Sequence, residues 1–350
     1  MKKTIITSLL IGLCQCVGYA QETAISYSIN DLANDGTCIY AATPNGVVMF
    51  DTDSKVYKTA TLPDSLLGVQ ATSLDCNKEG KAYVGFANGQ IFNIKGHEYE
   101  YVGTLPDKGL NKLRFDDNGN MFACCRSLYK KTSVDWERYS LPDSEQYSSL
   151  SIYDICPDEN GNIWIGARLV MGGAYKFDGE KITLVVDNTR PIMSVAYNNG
   201  QVWMGSAQNG LYLYENESVT NNFTLSNSDL KENFINAICA DTEGNIWCGR
   251  NYLHKYSQGT FTAYDMPDDA VITSIANIGK TIYIGTTKGL YVLKNNDVVP
   301  VTATTDISSP SEVKGNTPQS FYDLQGKKVN GTDIRHGSIY IKHNKKFIKH

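Results

Sequence analysis

Short apolar runs alternate with clusters of Gly, Asn and Asp along most of the chain. Runs rich in Ile, Val and Tyr and bounded by turn formers predict β-strands joined by tight turns. One run recurs. Gly161-Asn162-Ile163-Trp164-Ile165-Gly166, Gly200-Gln201-Val202-Trp203-Met204-Gly205 and Gly244-Asn245-Ile246-Trp247-Cys248-Gly249 share the pattern G-x-Φ-W-Φ-G, where Φ is apolar. Weaker copies are Gly80-Lys81-Ala82-Tyr83-Val84-Gly85, Gly119-Asn120-Met121-Phe122-Ala123-Cys124 and Thr281-Ile282-Tyr283-Ile284-Gly285, with a first copy at Cys38-Ile39-Tyr40-Ala41-Ala42. One position is aromatic in all seven: Tyr40, Tyr83, Phe122, Trp164, Trp203, Trp247 and Tyr283, spaced by 43, 39, 42, 39, 44 and 36 residues.

Each copy has the same surroundings. An apolar run precedes it, as at Ile152–Cys156 or Ile235–Cys239, and a turn such as Asp158-Glu159-Asn160-Gly161 joins the two. A second turn leads to a third strand, as at Leu211-Tyr212-Leu213-Tyr214. A looser fourth strand and a Leu-Pro-Asp loop close the unit, as at Leu62-Pro63-Asp64, Leu105-Pro106-Asp107 and Leu141-Pro142-Asp143. Four strands in about 40 residues is one propeller blade. The chain is therefore expected to be all-β: a seven-bladed β-propeller of four-stranded blades over residues 21–303, plus a short C-terminal β tail. The repeat glycines read as turn positions that require φ > 0. The repeat aromatics read as packing between adjacent blades. For ring closure, Ala24–Ile29 adding an outer strand to the last blade is preferred over Val298–Thr302 supplying it, because a clasp joining both ends removes two free edges.

The flanking segments change the picture of location. Lys2 and Lys3, an apolar run from Ile5 to Val17 and Gly18-Tyr19-Ala20 predict a signal peptide over residues 1–20, cleaved before Gln21. The protein is then expected to be exported, to the periplasm, the cell surface or the medium. No run is long and apolar enough to predict a transmembrane span. Residues 304–318 are polar and rich in Thr, Ser and Pro, which predicts a linker before a tail at 319–350. Seven cysteines follow the leader: 38, 76, 124, 125, 156, 239 and 248. An odd set within apolar strands reads as buried thiols rather than a disulfide framework.

With 350 residues, 41% hydrophobic and 11% aromatic, the chain has ample material for a core. Its formal net charge of -5 offers no general phosphate-binding surface, so nucleic acid is not expected as a partner.

The pattern I-x-A-I-x-x-D-x-x-G-N-I-W-x-G, followed by G-L-Y, resembles the two-component regulator propeller repeat. Ile235–Gly249 fits best, with Ile152–Gly166 and Ile272–Tyr291 next. The resemblance implies an exported Bacteroidetes protein, since that family supplies periplasmic sensor domains of hybrid histidine kinases. Those sensors carry two propellers, an immunoglobulin-like domain, a membrane span and a kinase. A single propeller is expected not to signal across a membrane by itself. The tail, with Tyr322-Asp323-Leu324-Gln325-Gly326-Lys327-Lys328-Val329 and Gly337-Ser338-Ile339-Tyr340-Ile341, resembles the end of a type IX secretion sorting domain. That implies sorting or surface anchoring; a small basic β-hairpin packed on the propeller is the alternative.

Candidate chemistry is sparse. Asp116-Asp117-Asn118-Gly119-Asn120, Asp158-Glu159-Asn160-Gly161-Asn162 and Asp241-Thr242-Glu243-Gly244-Asn245 look like pieces of calcium loops. None of the three carries the bidentate Glu at position 12, so hairpin turns are expected instead. The same turns lack the pattern of sialidase Asp-boxes. His97 and His254 lie in different repeats, while His336, His343 and His350 lie in the tail. A propeller lyase of the streptogramin type needs His and Glu around a metal on the channel face, and no such set assembles from the sequence. No nucleophile elbow, H-E-x-x-H or P-loop is present. No catalytic residue, metal or cofactor is therefore expected. Propellers bind ligands at the channel mouth. The turns after the second strands hold Arg126, Arg168 and Arg250, with Tyr252 and Lys288 nearby, a set suited to a uronate or sulfate with a sugar stacked on Tyr252. A solvated rim of scattered charge is the alternative. The expectation is a non-catalytic, monomeric binding or scaffold propeller for a glycan or a protein. A polysaccharide or streptogramin-type lyase is the alternative.

Overall fold

The computed structural model describes residues 23–142, 150–168, 172–187 and 190–305, and in the tail the strands Phe321–Tyr322, Lys328–Val329, Ile339–Lys342 and Lys345–Ile348. The leader over residues 1–20 and the linker from residue 306 to 318 lie outside the described residues. The chain divides into two compact units after Asp306.

The first unit is a seven-bladed β-propeller. Seven antiparallel sheets follow one another, each built of four strands consecutive in sequence. Blade one spans residues 31–59, blade two 71–104, blade three 112–139, blade four 151–187, blade five 192–223, blade six 237–265 and blade seven 272–300. Helix among the described residues amounts to single 3-10 turns, including Asp64–Leu66 and Pro267–Asp269. The tail forms its own small sheet, in the order Lys328–Val329, Phe321–Tyr322, Ile339–Lys342, Lys345–Ile348.

The core is a set of seven apolar layers, one at each joint between blades. Tyr40 lies in the layer with Leu74, Val84 and Phe86 of the next blade. Tyr83 meets Phe115 at a centroid distance of 4.9 Å. Phe122 packs with Phe177, Trp164 with Tyr214, Trp203 with Tyr256, and Tyr283 with Phe50. Trp247 sits in the layer of Ile275 and Tyr291. Each of the seven layers thus holds one of the repeat aromatics, contributed by the earlier blade of the pair.

The repeat glycines have two separate causes. Gly80, Gly119, Gly161, Gly200 and Gly244 occupy turns with φ between 75° and 84°, where a Cβ is disfavoured. Gly85, Gly166, Gly205 and Gly285 are different: none has a left-handed φ. A Cβ on Gly205 would lie 2.7 Å from Ile235 Cγ2 and 2.9 Å from the Ile235 carbonyl oxygen. On Gly166 it would lie 2.9 Å from Ile192, on Gly285 2.8 Å from Ile29, and on Gly85 2.5 Å from Leu110. These second glycines let the next blade approach, so the turn explanation holds only for the first ones.

Ring closure differs from the preferred expectation. Asp297–Pro300 is the fourth strand of blade seven, so that blade closes from its own sequence. The chain then crosses to blade one, where Thr302–Thr305 pairs in parallel with the outer strand Val56–Thr59. Thr23–Ala24 pairs antiparallel with this added strand. Residues 25–29 instead bridge to blade seven by single bonds: Leu290 N–H donates to the Ile25 carbonyl (2.9 Å) and Ile29 N–H to the Thr286 carbonyl (2.9 Å). The clasp brings both ends together as argued from the edge problem, but on the first blade. Residues 304 and 305, expected in the linker, belong to it.

Gly205→Ala should lower unfolding stability by about 1–3 kcal/mol, because the Ile235 backbone, not only its side chain, must move. Urea denaturation of the variant beside the parent protein measures the loss.

Candidate functional site

The innermost strands define the channel. Each is preceded or opened by a buried aliphatic residue: Ile29, Ala71, Leu110, Ile152, Ile192, Ile235 and Ile272. Two positions later stand Asp31, Ser73, Lys112, Asp154, Ser194, Ala237 and Ser274. Five of these bind the backbone of the following blade. Asp31 Oδ2 accepts Leu74 N–H (3.1 Å), and Ser73 Oγ accepts Leu113 N–H (3.0 Å). Asp154 Oδ2 accepts Val195 N–H (3.0 Å), Ser194 Oγ accepts Ile238 N–H (3.2 Å), and Ser274 Oγ accepts Leu32 N–H (3.1 Å). The relay breaks where Lys112 and Ala237 stand, after blades three and six. There an asparagine one position earlier takes over. Asn111 Nδ2 donates to the Ile152 carbonyl (2.8 Å) and Asn236 Nδ2 to the Ile272 carbonyl (2.9 Å). Asn30 adds the same bond to the Ala71 carbonyl (2.7 Å). Every joint around the ring is therefore bonded from its innermost strand.

Lys112 has another task. Its Nζ lies 3.0 Å from Asp31 Oδ1 and 3.7 Å from Asp154 Oδ1, joining two carboxylates from different blades. Arg114 Nη1 lies 3.5 Å from Asp31 Oδ2 and donates to the Leu74 and Leu113 carbonyls. Burial of Asp31 opposes its ionisation, but Lys112, Arg114 and the Leu74 N–H outweigh it and hold the carboxyl down to about 2. Two cations thus meet three carboxylates, because Asp75 also lies in the field of Arg114.

The channel at this cluster is a cavity of about 480 Å³, with Lys112, Arg114 and Asp154 in its wall. Its mouth is ringed by the residues between the aliphatic position and the relay position. In blades one, three and six these are Asn30, Asn111 and Asn236. In blades two, four, five and seven they are Thr72, Tyr153, Met193 and Thr273. At these last four the first strand slips register against the second, so each is the extra residue of a β-bulge. A bulge re-aims a side chain, which explains why apolar and polar residues alike line the same opening. None of the seven carries a charge.

The residues singled out from sequence lie elsewhere. Arg126, Arg250 and Lys288 follow the second strands of blades three, six and seven, and Arg168 ends the second strand of blade four. Arg126, Arg168 and Lys288 are exposed, and Arg250 and Tyr252 half-buried. Among the described residues no hydrogen bond or ion pair joins them to one another. The Arg250 guanidinium lies 4.7 Å above the Phe234 ring and donates to Asn251 Oδ1. Its loop is fixed by Glu232, whose buried carboxylate accepts the N–H groups of Arg250 (2.7 Å), Asn251 (2.8 Å) and Tyr252 (3.1 Å). The mouth residues and the Asp31–Lys112–Asp154 cluster are not among the residues that the sequence singles out, because they sit within strands or one residue before them rather than on charged loops. The available signal was register: charged residues at one fixed position of otherwise apolar strands.

The calcium-like segments are turns closed on their own carboxylates. Asp158 Oδ1 accepts Asn160 N–H and Asn162 N–H (both 2.9 Å), and Oδ2 accepts Trp164 Nε1–H (3.0 Å). Asp241 does the same for Glu243, Asn245 and Trp247. Among the described residues no group of three or more His, Cys, Asp or Glu is placed to hold a metal ion. His97 is exposed on a hairpin. His254 is fully buried, and its Nε2 accepts Lys231 N–H (3.0 Å). Burial lowers its pKa to about 4. The seven cysteines are free thiols, three of them buried, and burial raises Cys156 and Cys239 in the channel wall to about 12. No helix among the described residues is long and apolar enough to cross a membrane.

Two stretches, residues 146–168 and 229–249, match the family described as two component regulator propeller. They cover the start of blade four and the start of blade six. No curated protein matches the chain. Virginiamycin B lyase from Staphylococcus aureus superposes with a TM-score of 0.65 at 16% identity, over 77% of this chain and 96% of that one. The extracellular domain of a putative hybrid two component system from B. thetaiotaomicron does so at 0.53 and 16% identity, over 91% of this chain and 52% of that one. Both are likenesses of fold.

Lys112→Met should cost about 3–5 kcal/mol, since it leaves two buried carboxylates facing each other. Adding Asp154→Asn should recover part of the loss in chemical denaturation. His254 gives a pH signature. Its folded pKa lies below the ordinary value of 6.5, so its contribution is complete above pH 6.5 and declines as pH falls toward 4. Between pH 7 and 4.5 the parent should lose about 2–3 kcal/mol more than His254→Gln, measured by denaturation at both pH values.

Proposed function

We propose that this chain is an exported, non-catalytic binding propeller that takes a glycan or a protein segment at the mouth of its channel, in the manner of the sensor domains its repeats resemble. The observation that carries this reading is the 480 Å³ cavity on the ring axis, whose mouth gathers one side chain from each of the seven blades. Its volume falls in the range of small-ligand sites, about 300–1,000 Å³. Arg126, Arg168, Arg250, Tyr252 and Lys288 form the outer rim in this reading and meet whatever part of the ligand projects from the channel. The leader and tail deliver the protein out of the cell, and it acts as a monomer.

The lyase alternative asks for a histidine and an acid around a metal on the channel face. His254 is turned to a backbone amide inside blade six and His97 to solvent, so neither supports that arrangement.

A glycan array and a peptide display screen with the secreted chain test the proposal. Met193→Arg should block the mouth and lower binding about tenfold or more, a loss of about 1.4 kcal/mol, with the thermal midpoint nearly unchanged. Binding that survives both this change and the triple variant Arg126→Ala, Arg168→Ala, Arg250→Ala would reject the site.

A further inference from the structure

The mouth says which ligands it accepts. Asn30, Asn111 and Asn236 all spend Nδ2 on the carbonyl of the next blade. That bond fixes the amide orientation, because a carbonyl oxygen only accepts. Each asparagine keeps Oδ1 for a ligand, which no hydrogen bond among the described residues uses; Asn30 and Asn236 also keep one amide N–H, while Asn111 gives its second to Ser151 Oγ (3.0 Å). The mouth therefore offers three carbonyl-type acceptors and two amide N–H donors, all uncharged and held in place by the ring itself. Tyr153 adds a half-buried aromatic ring and a hydroxyl.

The charges below do not bias this set toward ions. Lys112 and Arg114 are matched by Asp31 and Asp154 at 3.0–3.7 Å, and Asp75 adds a third carboxylate in the field of Arg114, so the floor presents no unpaired cation. An anionic ligand finds no unpaired cation, because Lys112 and Arg114 are already held by carboxylates. A cationic ligand must approach Lys112 and Arg114. A neutral molecule rich in hydroxyl groups brings donors to Oδ1 and an apolar face to Tyr153.

We infer that the channel mouth binds a neutral, hydroxyl-rich small molecule, a sugar or polyol, rather than the acidic glycan that the rim arginines alone would select. This rests on the proposed channel-mouth site and narrows its ligand.

Calorimetric titration of the secreted chain with neutral oligosaccharides and their uronate or sulfated counterparts, matched in length, separates the two levels. Neutral ligands should bind about tenfold tighter or more. Tyr153→Phe should weaken them about threefold to tenfold through loss of one hydrogen bond. The triple variant at Arg126, Arg168 and Arg250 should change them less than about twofold. Preference for acidic ligands, lost in the arginine variant and unmoved by Tyr153→Phe, would overturn this inference while leaving a ligand site at the rim. Binding of neutral ligands that ignores Tyr153→Phe, Tyr153→Ala and Met193→Arg alike would overturn the site itself.

Discussion

The ring is held at its axis by side chains that reach one blade ahead. A propeller blade on its own leaves the free edge of its innermost strand without a β partner, so those backbone groups face the channel. Here a short polar side chain from the preceding blade satisfies one of them at every joint, either through an acceptor two residues into the segment or through an asparagine one residue in. The two devices complement each other. Lys112 and Ala237 cannot accept a backbone N–H, and asparagine stands beside them both. Replacing Ser73 or Ser194 by a large apolar residue would leave a backbone amide unpaired in a dry joint, a penalty of about 1–3 kcal/mol. Asp31 carries the most, since Ser274, Ser73, Leu74, Lys112 and Arg114 all converge on it from blades seven, two and three.

The fold was legible because the repeat is written in residues that have few alternative uses. A Trp or Tyr every 40 or so residues, in a fixed frame of glycines, has one simple explanation, and each aromatic does lie in its own layer between blades. The Asp of the turn was less legible. Asp158 and Asp241 serve both the turn and the Trp six residues on, so their recurrence across repeats has two causes. The second glycine was assigned the wrong cause. A glycine that avoids Ile235 and a glycine that permits φ near 80° look identical as letters. Ring closure was half legible: edge avoidance called for a clasp, but sequence alone could not say that blade seven completes itself at Asp297–Pro300 and that blade one receives the extra strands.

The site was the least legible part, for a physical reason. Arginine on a loop announces itself, whereas Asn30, Thr72, Tyr153 and Met193 are unremarkable in strands and gain meaning only when seven of them meet around an axis. Their common feature is register. In four blades it is enforced by a bulge, which sequence does not display. In the other three it is enforced by an amide that bonds to the following blade, and this same bond fixes which way the amide oxygen faces.

The clasp has a consequence for how the molecule comes into being. Thr304 lies beside Val56 in the finished sheet, yet nearly the whole propeller separates them along the chain. As the chain emerges, each new blade can dock on the one before it, so the early intermediate is an open arc rather than a ring. During that interval the outer edge of blade one is bare and Asp31 waits for Ser274. Closing so long a loop is slow but adds little entropy beyond that of a shorter one. Residues 302–305 are thus the ones that convert a stack with two open ends into a closed ring. Any event that delays residues 302–305 extends the life of a species able to join its neighbours edge to edge.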